Sequence, residues 1–205
     1  MTSTFRALEA SEMKEKFSLS IVEKDVADLP EGDLLIKVDF SSLNYKDAMS
    51  ASGMPGVTRN YPHTPGIDAA GKVVESRVPD FKEGDEVIVT GYDLGMNTSG
   101  GFGEYIRVPA NWAIHLPEGL TAKQSMSLGT VGLTAGLSIH ALDSFREYTG
   151  LKNTKSIVSG STGGVGSISV MLLSKLGSEV TAVTGKNEQS DFLHTIGASN
   201  ILSRE

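Results

Sequence analysis

Lys155-Ser-Ile-Val-Ser-Gly-Ser-Thr-Gly-Gly-Val-Gly-Ser167 joins a short β-branched run to a glycine-rich turn. An apolar stripe at helical spacing follows directly, through Val165, Ile168, Leu172 and Leu176. The order strand, glycine turn, helix is typical of a Rossmann unit, whose helix N-terminus binds a pyrophosphate. Glycine is needed there because a Cβ would block the backbone from phosphate oxygens. The alternative is a glycine-rich turn in another kind of α/β unit.

The residues after the next predicted strand, Glu179–Thr184, indicate which dinucleotide binds. An NAD site usually ends this strand with an acid that accepts from the ribose 2′-hydroxyl. Here the chain continues Thr184-Gly185-Lys186, which can donate to a 2′-phosphate and carries no acid to repel it. The pattern favours NADPH, although Lys186 could instead be a solvated residue that opens the next helix. The predicted cofactor-binding residues of this unit include Thr162, Gly163, Gly164, Val165, Gly166, Thr184, Gly185 and Lys186.

Composition excludes several classes of protein. The 205 residues are 39% hydrophobic and 21% charged, which is ordinary for a globular protein. The net charge of −7 favours neither nucleic acid nor an anionic membrane as a partner. The absence of Cys excludes disulfides, a thiolate nucleophile and cysteine metal ligands. Because the sequence contains neither an apolar leader nor a membrane span, we expect a cytoplasmic protein.

The first 120 residues are rich in predicted strands, and the chain then becomes helical. Short strands at this spacing suggest a compact β-barrel. They are predicted at Leu34–Phe40, Gly71–Glu75, Asp85–Thr90 and Gly100–Pro109. A helical pattern from Thr121 is interrupted by Gly129, Gly132 and Gly136, which predicts close backbone packing or a nearby ligand.

After residue 150 the pattern is βαβαβ, which is half of a dinucleotide-binding fold. In the usual strand order, the first strand, Ser156–Ser159, would become an uncovered edge. We therefore expect a truncated product, a fragment, or a chain that pairs with a partner. A homodimer is one such arrangement.

A set of motifs resembles one known family. The order barrel, glycine-rich helix and Rossmann unit resembles the medium-chain dehydrogenase/reductase superfamily. Within it, the chain looks like the acrylyl-CoA reductase family, whose members are often named quinone oxidoreductases of the YhdH/YhfP type. The motifs are Ser42-Leu-Asn-Tyr-Lys-Asp47, Pro65-Gly-Ile-Asp68, Val89-Thr-Gly-Tyr-Asp-Leu-Gly95, Gly100-Gly-Phe-Gly-Glu-Tyr105 and Gly129-Thr-Val-Gly-Leu-Thr-Ala135.

The resemblance implies an α/β fold with two domains. Residues 1–122 would form a GroES-like β-barrel catalytic domain, and residues 123–205 the N-terminal half of a Rossmann NADPH-binding domain. The resemblance also argues against zinc. Zinc-dependent relatives need two Cys and a His, where this chain has Asn44 in the first Cys region and Ile67 in place of the His. The four histidines show no ligand spacing, so we predict no metal.

The predicted catalytic residues are Asn44, Tyr45 and Asp47. By resemblance Tyr45 also touches the cofactor, and whether it donates the proton stays open. Asp47 could instead be a helix N-terminal acid stabilised by the dipole. Thr130 and Thr134 would line the nicotinamide site or cap a broken helix. By resemblance Arg204 reaches the adenine-side phosphate together with Lys186.

Four aromatic or acidic residues have less defined roles. Tyr92 and Asp93 lie on a loop of the expected substrate side, although Tyr92 could be a packing residue. Tyr105 and Trp112 are predicted to belong to the barrel core.

Three functions fit these residues. A chain without zinc ligands is expected to favour reduction of an activated C=C bond, because a few fixed donors can stabilise the resulting enolate. The first function is therefore an NADPH-dependent reductase of an enoyl thioester, most simply acrylyl-CoA. The second is an NADPH:quinone reductase. The third is a nucleotide-binding remnant without catalytic activity.

Overall fold

The structure is a computed structural model that describes residues 4–14, 16–145 and 150–204. The chain separates into two compact units, Met1–Thr130 and Val131–Glu205. This division falls within a long helix and later than the boundary at 122/123 that the sequence suggests. The assignment of a role to each domain stays a prediction.

The first unit begins with a β-hairpin. Strand β1 (Thr4–Met13) pairs antiparallel with β2 (Lys16–Asp25), and Phe5, Ala7 and Ala10 of β1 are buried. Sequence patterns did not single out these two strands. The reason is that β2 keeps most of its side chains exposed and therefore lacks a regular apolar alternation.

A five-stranded antiparallel sheet forms the rest of this unit, in the order β6-β3-β4-β5-β7. Its strands are β3 (Leu34–Phe40), β4 (Asp68–Ser76), β5 (Glu86–Thr90), β6 (Tyr105–Val108) and β7 (Ala113–His115). The apolar faces of these strands build a core that includes Leu34, Ile36, Val73, Val87, Val89, Ile106 and Val108. A bridge from Ala7 to Gly103 ties the hairpin to the sequence that leads into β6.

The predicted strand Gly100–Pro109 is shorter than expected, because its glycines form a tightly packed turn. A Cβ on Gly100 would lie 2.5 Å from the Gly66 carbonyl oxygen, and one on Gly101 would lie 2.4 Å from that of Asp68. The glycines therefore serve close backbone packing, and the strand begins only at Tyr105.

Two helices come next, of which the second crosses the division between the two units. Helix α1 spans Tyr45–Ala51. Helix α2 spans Ala122–Ser144 and is broken at Gly129, whose φ of 49° and ψ of −151° are not helical. The helix predicted from Thr121 is present, and its break coincides with the first of the three glycines noted in the sequence. Short 3₁₀ turns lie at Val26–Asp28, Ala110–Trp112 and Asn187–Gln189.

The second unit is a parallel three-stranded sheet in the order β10-β9-β8. Its elements follow in sequence as β8 (Lys155–Ser159), α3 (Gly164–Lys175), β9 (Glu179–Thr184), α4 (Ser190–Thr195) and β10 (Asn200–Ser203). The predicted βαβαβ pattern is confirmed. Its core includes Ile139, Val170, Leu173, Val180, Ala182 and Leu193.

Strand β8 lies at the edge of this sheet, as the sequence predicts. Its Ile157 side chain is 73% exposed, whereas Val158 points into the core. Among the described residues, no helix is both long and apolar enough to cross a membrane.

Candidate functional site

The turn after β8 presents the start of α3 through closely spaced glycines. Gly160 adopts a φ of 60°, and its carbonyl accepts the Gly163 N–H at 2.9 Å. A Cβ on Gly166 would lie 2.2 Å from the Gly160 carbonyl oxygen, so only glycine lets the helix approach the turn. Gly164, Val165 and Gly166 form the first helical turn, where N–H groups have no carbonyl one turn earlier to accept them.

Ser161 fixes this turn between two strands. Its fully buried hydroxyl donates to the Val158 carbonyl at 2.7 Å and accepts the Val183 N–H at 3.1 Å. The Ser161 N–H in turn donates to the Val183 carbonyl at 3.2 Å. These bonds join the carboxyl ends of β8 and β9, so the glycine turn sits on a rigid base. Sequence reasoning did not single out Ser161.

An open cavity of about 330 Å³ lies at the carboxyl ends of β9 and β10. It is lined by Gly160, Thr162, Val183, Thr184, Gly185, Lys186 and Arg204. The Thr184 hydroxyl accepts the Lys186 N–H at 3.0 Å, and the Thr184 carbonyl accepts the Arg204 N–H at 3.0 Å. These two bonds bring Lys186 and Arg204 to one cavity.

The lining of this cavity suits an anion. The Arg204 guanidinium lies over Gly185, since a Cβ there would be 3.5 Å from its Nη2. Lys186 supplies a second cation, and none of the described residues that line the cavity is acidic. Two cations beside a glycine turn at a helix N-terminus fit the phosphates of a dinucleotide. The structure thus brings together Thr162, Thr184, Gly185, Lys186 and Arg204, as the sequence suggested.

The predicted catalytic residues lie in the first unit, around the start of α1. Asn44 precedes the helix in an extended conformation, as an N-cap residue. Asp47, which is only 3% exposed, accepts the Asn44 N–H at 2.8 Å through Oδ2 and the Ile67 N–H at 2.9 Å through Oδ1. Asp47 therefore joins the first turn of α1 to the start of β4.

Burial raises the pKa of Asp47, and the repulsion of the Asp68 carboxylate adds to this effect. The backbone N–H groups of Asn44 and Ile67, and then the Asn44 side chain, act in the opposite direction by stabilising the charged form. The contacts of Asp47 are those of the helix N-terminal acid that the sequence left as an alternative to a catalytic role.

Asp68 is the residue of this cluster that sequence reasoning quoted in a motif without giving it a role. Its side chain is fully buried, and Oδ2 accepts from Asn44 Nδ2 and from the Thr130 N–H, each at 2.9 Å. Oδ1 accepts from Thr130 Oγ1 at 2.8 Å. An acid in an apolar run, Gly66-Ile-Asp-Ala-Ala-Gly71, is the sequence signal that could have revealed it.

Two predicted site residues lie outside these clusters. Tyr45 opens α1 with its side chain 76% exposed. Thr134 lies on the exposed side of α2, and its carbonyl accepts the Ser138 hydroxyl at 2.8 Å. Within the described part of the second unit, Thr134 does not line the cavity at Lys186.

The loop after β5 holds an aromatic pair. Tyr92, with a φ of 53°, stacks on Trp112 at 5.3 Å between ring centroids, and Trp112 packs against the core of the sheet. Asp93 accepts from Asn97 Nδ2 at 2.9 Å and so stabilises its own loop. Tyr105 packs edge-on against Phe5. Within residues 4–14, 16–145 and 150–204, no group of three or more His, Asp or Glu side chains could hold a metal ion.

Comparison with known sequences gives consistent matches. Residues 30–118 match the family described as alcohol dehydrogenase GroES-like domain, which confirms the predicted fold of the first part of the chain. "Putative quinone oxidoreductase YhfP" of Bacillus subtilis is 44% identical over 207 residues, covering 100% of this chain and 62% of that protein. Acrylyl-CoA reductase AcuI of Ruegeria pomeroyi is 40% identical over 190 residues, covering 93% and 57%.

Solved structures agree with these matches. The YhdH oxidoreductase from Salmonella enterica in complex with NADP has a TM-score of 0.92 and 40% identity, covering 97% of this chain and 61% of that one. Bacillus subtilis YhfP with NAD bound has a TM-score of 0.92 and 42% identity, covering 99% and 61%. The chain therefore spans less than two thirds of the length of these relatives.

Proposed function

Since the chain belongs to the medium-chain dehydrogenase/reductase family, in the branch of YhdH, YhfP and AcuI, we propose that it is an NADPH-dependent oxidoreductase. Its reaction would be the reduction of an activated C=C bond, with an enoyl thioester such as acrylyl-CoA as substrate. The names of the AcuI relatives support the thioester, because each is called an acrylyl-CoA reductase.

The observation that carries this proposal is the cavity at the ends of β9 and β10. Lys186 and Arg204 would hold the 2′-phosphate of NADPH, and the first turn of α3 behind the glycines would hold the pyrophosphate. When bound, NADPH would supply a hydride to the substrate. Because the structure of YhfP contains NAD, the preference of this chain for NADPH over NADH is a quantity to measure.

In the first unit, we assign Asn44 and Tyr45 to the catalytic region and give Asp47 a supporting role. Both oxygens of Asp47 accept backbone N–H groups, so its carboxylate holds the start of α1 in place around Asn44. The exposed Tyr45 hydroxyl is available to a ligand. Contacts of Tyr45, Thr130 and Thr134 with the cofactor remain expectations from the family resemblance.

A quinone is the second candidate substrate, because YhfP and several more distant relatives carry that name. A quinone also accepts hydride without a metal. A cytoplasmic location and a homodimer are further expectations from the sequence.

Steady-state kinetics of the purified 205-residue chain test this proposal. Acrylyl-CoA and a simple benzoquinone are each offered with NADPH and with NADH. We expect the highest kcat/KM for acrylyl-CoA with NADPH. A higher kcat/KM for the quinone would favour the second candidate, and binding of NADPH without turnover of either substrate would favour a nucleotide-binding remnant. If NADPH does not bind, the cofactor assignment is wrong.

A further inference from the structure

The break in α2 exchanges one backbone hydrogen bond for two side-chain bonds. In a continuous helix the Thr130 N–H would donate to the Met126 carbonyl. Here the Thr130 N–H donates to Asp68 Oδ2 at 2.9 Å, and the Met126 carbonyl accepts from Ser42 Oγ at 2.8 Å. Both groups freed by the break are therefore satisfied, and the break is a built feature of the fold.

Gly129 makes this exchange sterically possible. A Cβ at Gly129 would lie 2.4 Å from Ser42 Oγ and 2.6 Å from Asp68 Oδ2. The side chains of Ser42 and Asp68 therefore occupy the space that a Cβ would need. Its φ of 49° with a ψ of −151° is also a conformation that glycine adopts at low cost. Gly129, Ser42 and Asp68 thus form one arrangement, which holds Thr130 at the start of the second helical segment.

The same carboxylate determines how Asn44 is oriented. An ionised carboxylate can only accept, so the amide nitrogen of Asn44 must face Asp68, and its amide oxygen must point away. The Thr130 hydroxyl likewise directs its single proton to Asp68 Oδ1. Hydrogen bonds to a buried charge are the strong kind, and the charge would be costly without them. Both polar side chains are therefore fixed in direction.

We infer that Asp68 is a positioning residue for the reaction: it orients the Asn44 amide and the Thr130 hydroxyl and maintains the break at Gly129. This inference rests on the proposed function for the role of Asn44, while the orientation itself does not. In this role Asp68 acts through Asn44 and Thr130 and does not itself contact substrate or cofactor.

The test compares Asp68→Ala, which removes both accepting oxygens, with the conservative variant Asp68→Asn. In Asp68→Asn the amide oxygen can take the place of Oδ2 and accept from Asn44 Nδ2 and from the Thr130 N–H, while the amide nitrogen donates to Thr130 Oγ1. Asp33→Asn is the matched control, because Asp33 accepts a backbone N–H of Ala110 at 3.0 Å elsewhere in the same unit. NMR measures the exchange of the Thr130 amide and the shifts of the Asn44 side-chain amide, and kinetics measure kcat and KM separately.

We expect Asp68→Ala to speed exchange of the Thr130 amide and to lower kcat, each by about tenfold or more, with little change in KM. Asp68→Asn should recover most of both quantities, because its amide oxygen still accepts from Asn44 Nδ2 and from the Thr130 N–H. Asp33→Asn should change neither quantity.

Unchanged Thr130 exchange and Asn44 shifts in Asp68→Ala would overturn the inference. A kcat of Asp68→Asn as low as that of Asp68→Ala, with Thr130 protected and the Asn44 shifts unchanged, would also overturn it, since the orientation of these groups would then not determine the rate. If the wild type turns over no substrate, the proposed function fails, and the NMR measurements, which need no substrate, still decide whether Asp68 orients Asn44 and Thr130.

Discussion

The cavity at Lys186 and the cluster around Asp68 use polar groups in opposite ways. At the cavity, the cations of Lys186 and Arg204 and the first turn of α3 face an open space. In the cluster, the carboxylates of Asp47 and Asp68 are buried and accept hydrogen bonds from the protein itself. The first arrangement suits binding of a charged ligand. The second fixes the direction of a few side chains before any ligand arrives.

The largest effect we predict is at the glycine turn. Gly163→Val would place a branched side chain where a pyrophosphate must approach the backbone, and its Cβ meets only the Gly160 carbonyl oxygen, at 3.3 Å. NADPH binding should weaken by more than about a hundredfold, because the first-turn N–H groups become inaccessible. Fluorescence titration of NADPH, with far-UV circular dichroism to show that the chain is folded, measures this.

Gly136→Ala is the control, because a Cβ at Gly136 would meet no described atom outside its own helix backbone within 4 Å, and Gly136 does not line the cavity at Lys186. Its NADPH affinity should equal that of the wild type. Retained binding in folded Gly163→Val would contradict the idea that this turn binds phosphate.

The second effect tests whether the hydrogen bonds to the buried carboxylate of Asp47 stabilise the fold. Asp47→Ala leaves the N–H groups of Asn44 and Ile67 without their acceptor, so the free energy of unfolding should fall by about 2–3 kcal/mol. Asp47→Asn keeps one accepting oxygen and should cost about half as much. Urea denaturation measures both variants. An Asp47→Ala variant as stable as the wild type would mean that these bonds do not hold α1 against β4.

The third effect tests the open cavity. Lys186→Ala should weaken NADPH binding by about 1–2 kcal/mol, because it removes one charged contact with the 2′-phosphate. NADH lacks that phosphate, so its affinity should barely change. Lys175→Ala, at the far end of α3, is the control and should bind both cofactors as the wild type does. Equal losses for NADPH and NADH in Lys186→Ala would show that Lys186 does not contact the 2′-phosphate.

The amount that sequence could predict differs between the two regions, for a physical reason. Strand β9 was predicted with the bounds that the structure gives, because local periodicity and glycine spacing define a βαβ unit. The convergence of Lys186 and Arg204 follows from the rule that carboxyl ends of neighbouring parallel strands meet at one edge.

The role of Asp68 could not be predicted in this way. Its contacts with Asn44 and Thr130 span 24 and 62 residues, and they depend on the register of β4 and on the break at Gly129. The sequence did indicate that Gly129 is special, but not which side chain occupies the space beside it. Long-range hydrogen bonds leave no periodic signal in a single sequence.

The fourth effect concerns pH and the first unit. Burial lowers the pKa of His63, whose Nε2 lies 2.9 Å from the Gly95 carbonyl and must donate as the neutral ring. As the pH falls below the ordinary His pKa of about 6.5, His63 binds a proton in the unfolded chain more readily than in the folded chain. The contribution of the neutral His63 ring to the free energy of unfolding is therefore complete above that pH. It is lost as the pH falls towards the lowered pKa of the folded state.

We expect the free energy of unfolding to fall over this range, as measured by urea denaturation at a series of pH values. His63→Gln, which keeps an N–H donor without a titrating ring, should remove this part of the pH dependence. An identical pH profile in wild type and variant would show that folding does not change the pKa of His63.

The smallest effect on stability is expected at Tyr45, and it separates two roles for this residue. Because the side chain is 76% exposed, Tyr45→Phe should change the free energy of unfolding by less than about 0.5 kcal/mol. Tyr61→Phe is the contrasting variant, since the Tyr61 hydroxyl donates to the Ser50 carbonyl at 2.6 Å, and its loss should cost about 1 kcal/mol. If Tyr45 only contacts the cofactor, Tyr45→Phe should raise the KM for NADPH a few-fold with kcat unchanged, which is what we expect. A fall in kcat of about a hundredfold at constant KM would instead identify its hydroxyl as the proton donor, and the first unit would then also contain an open, reactive group.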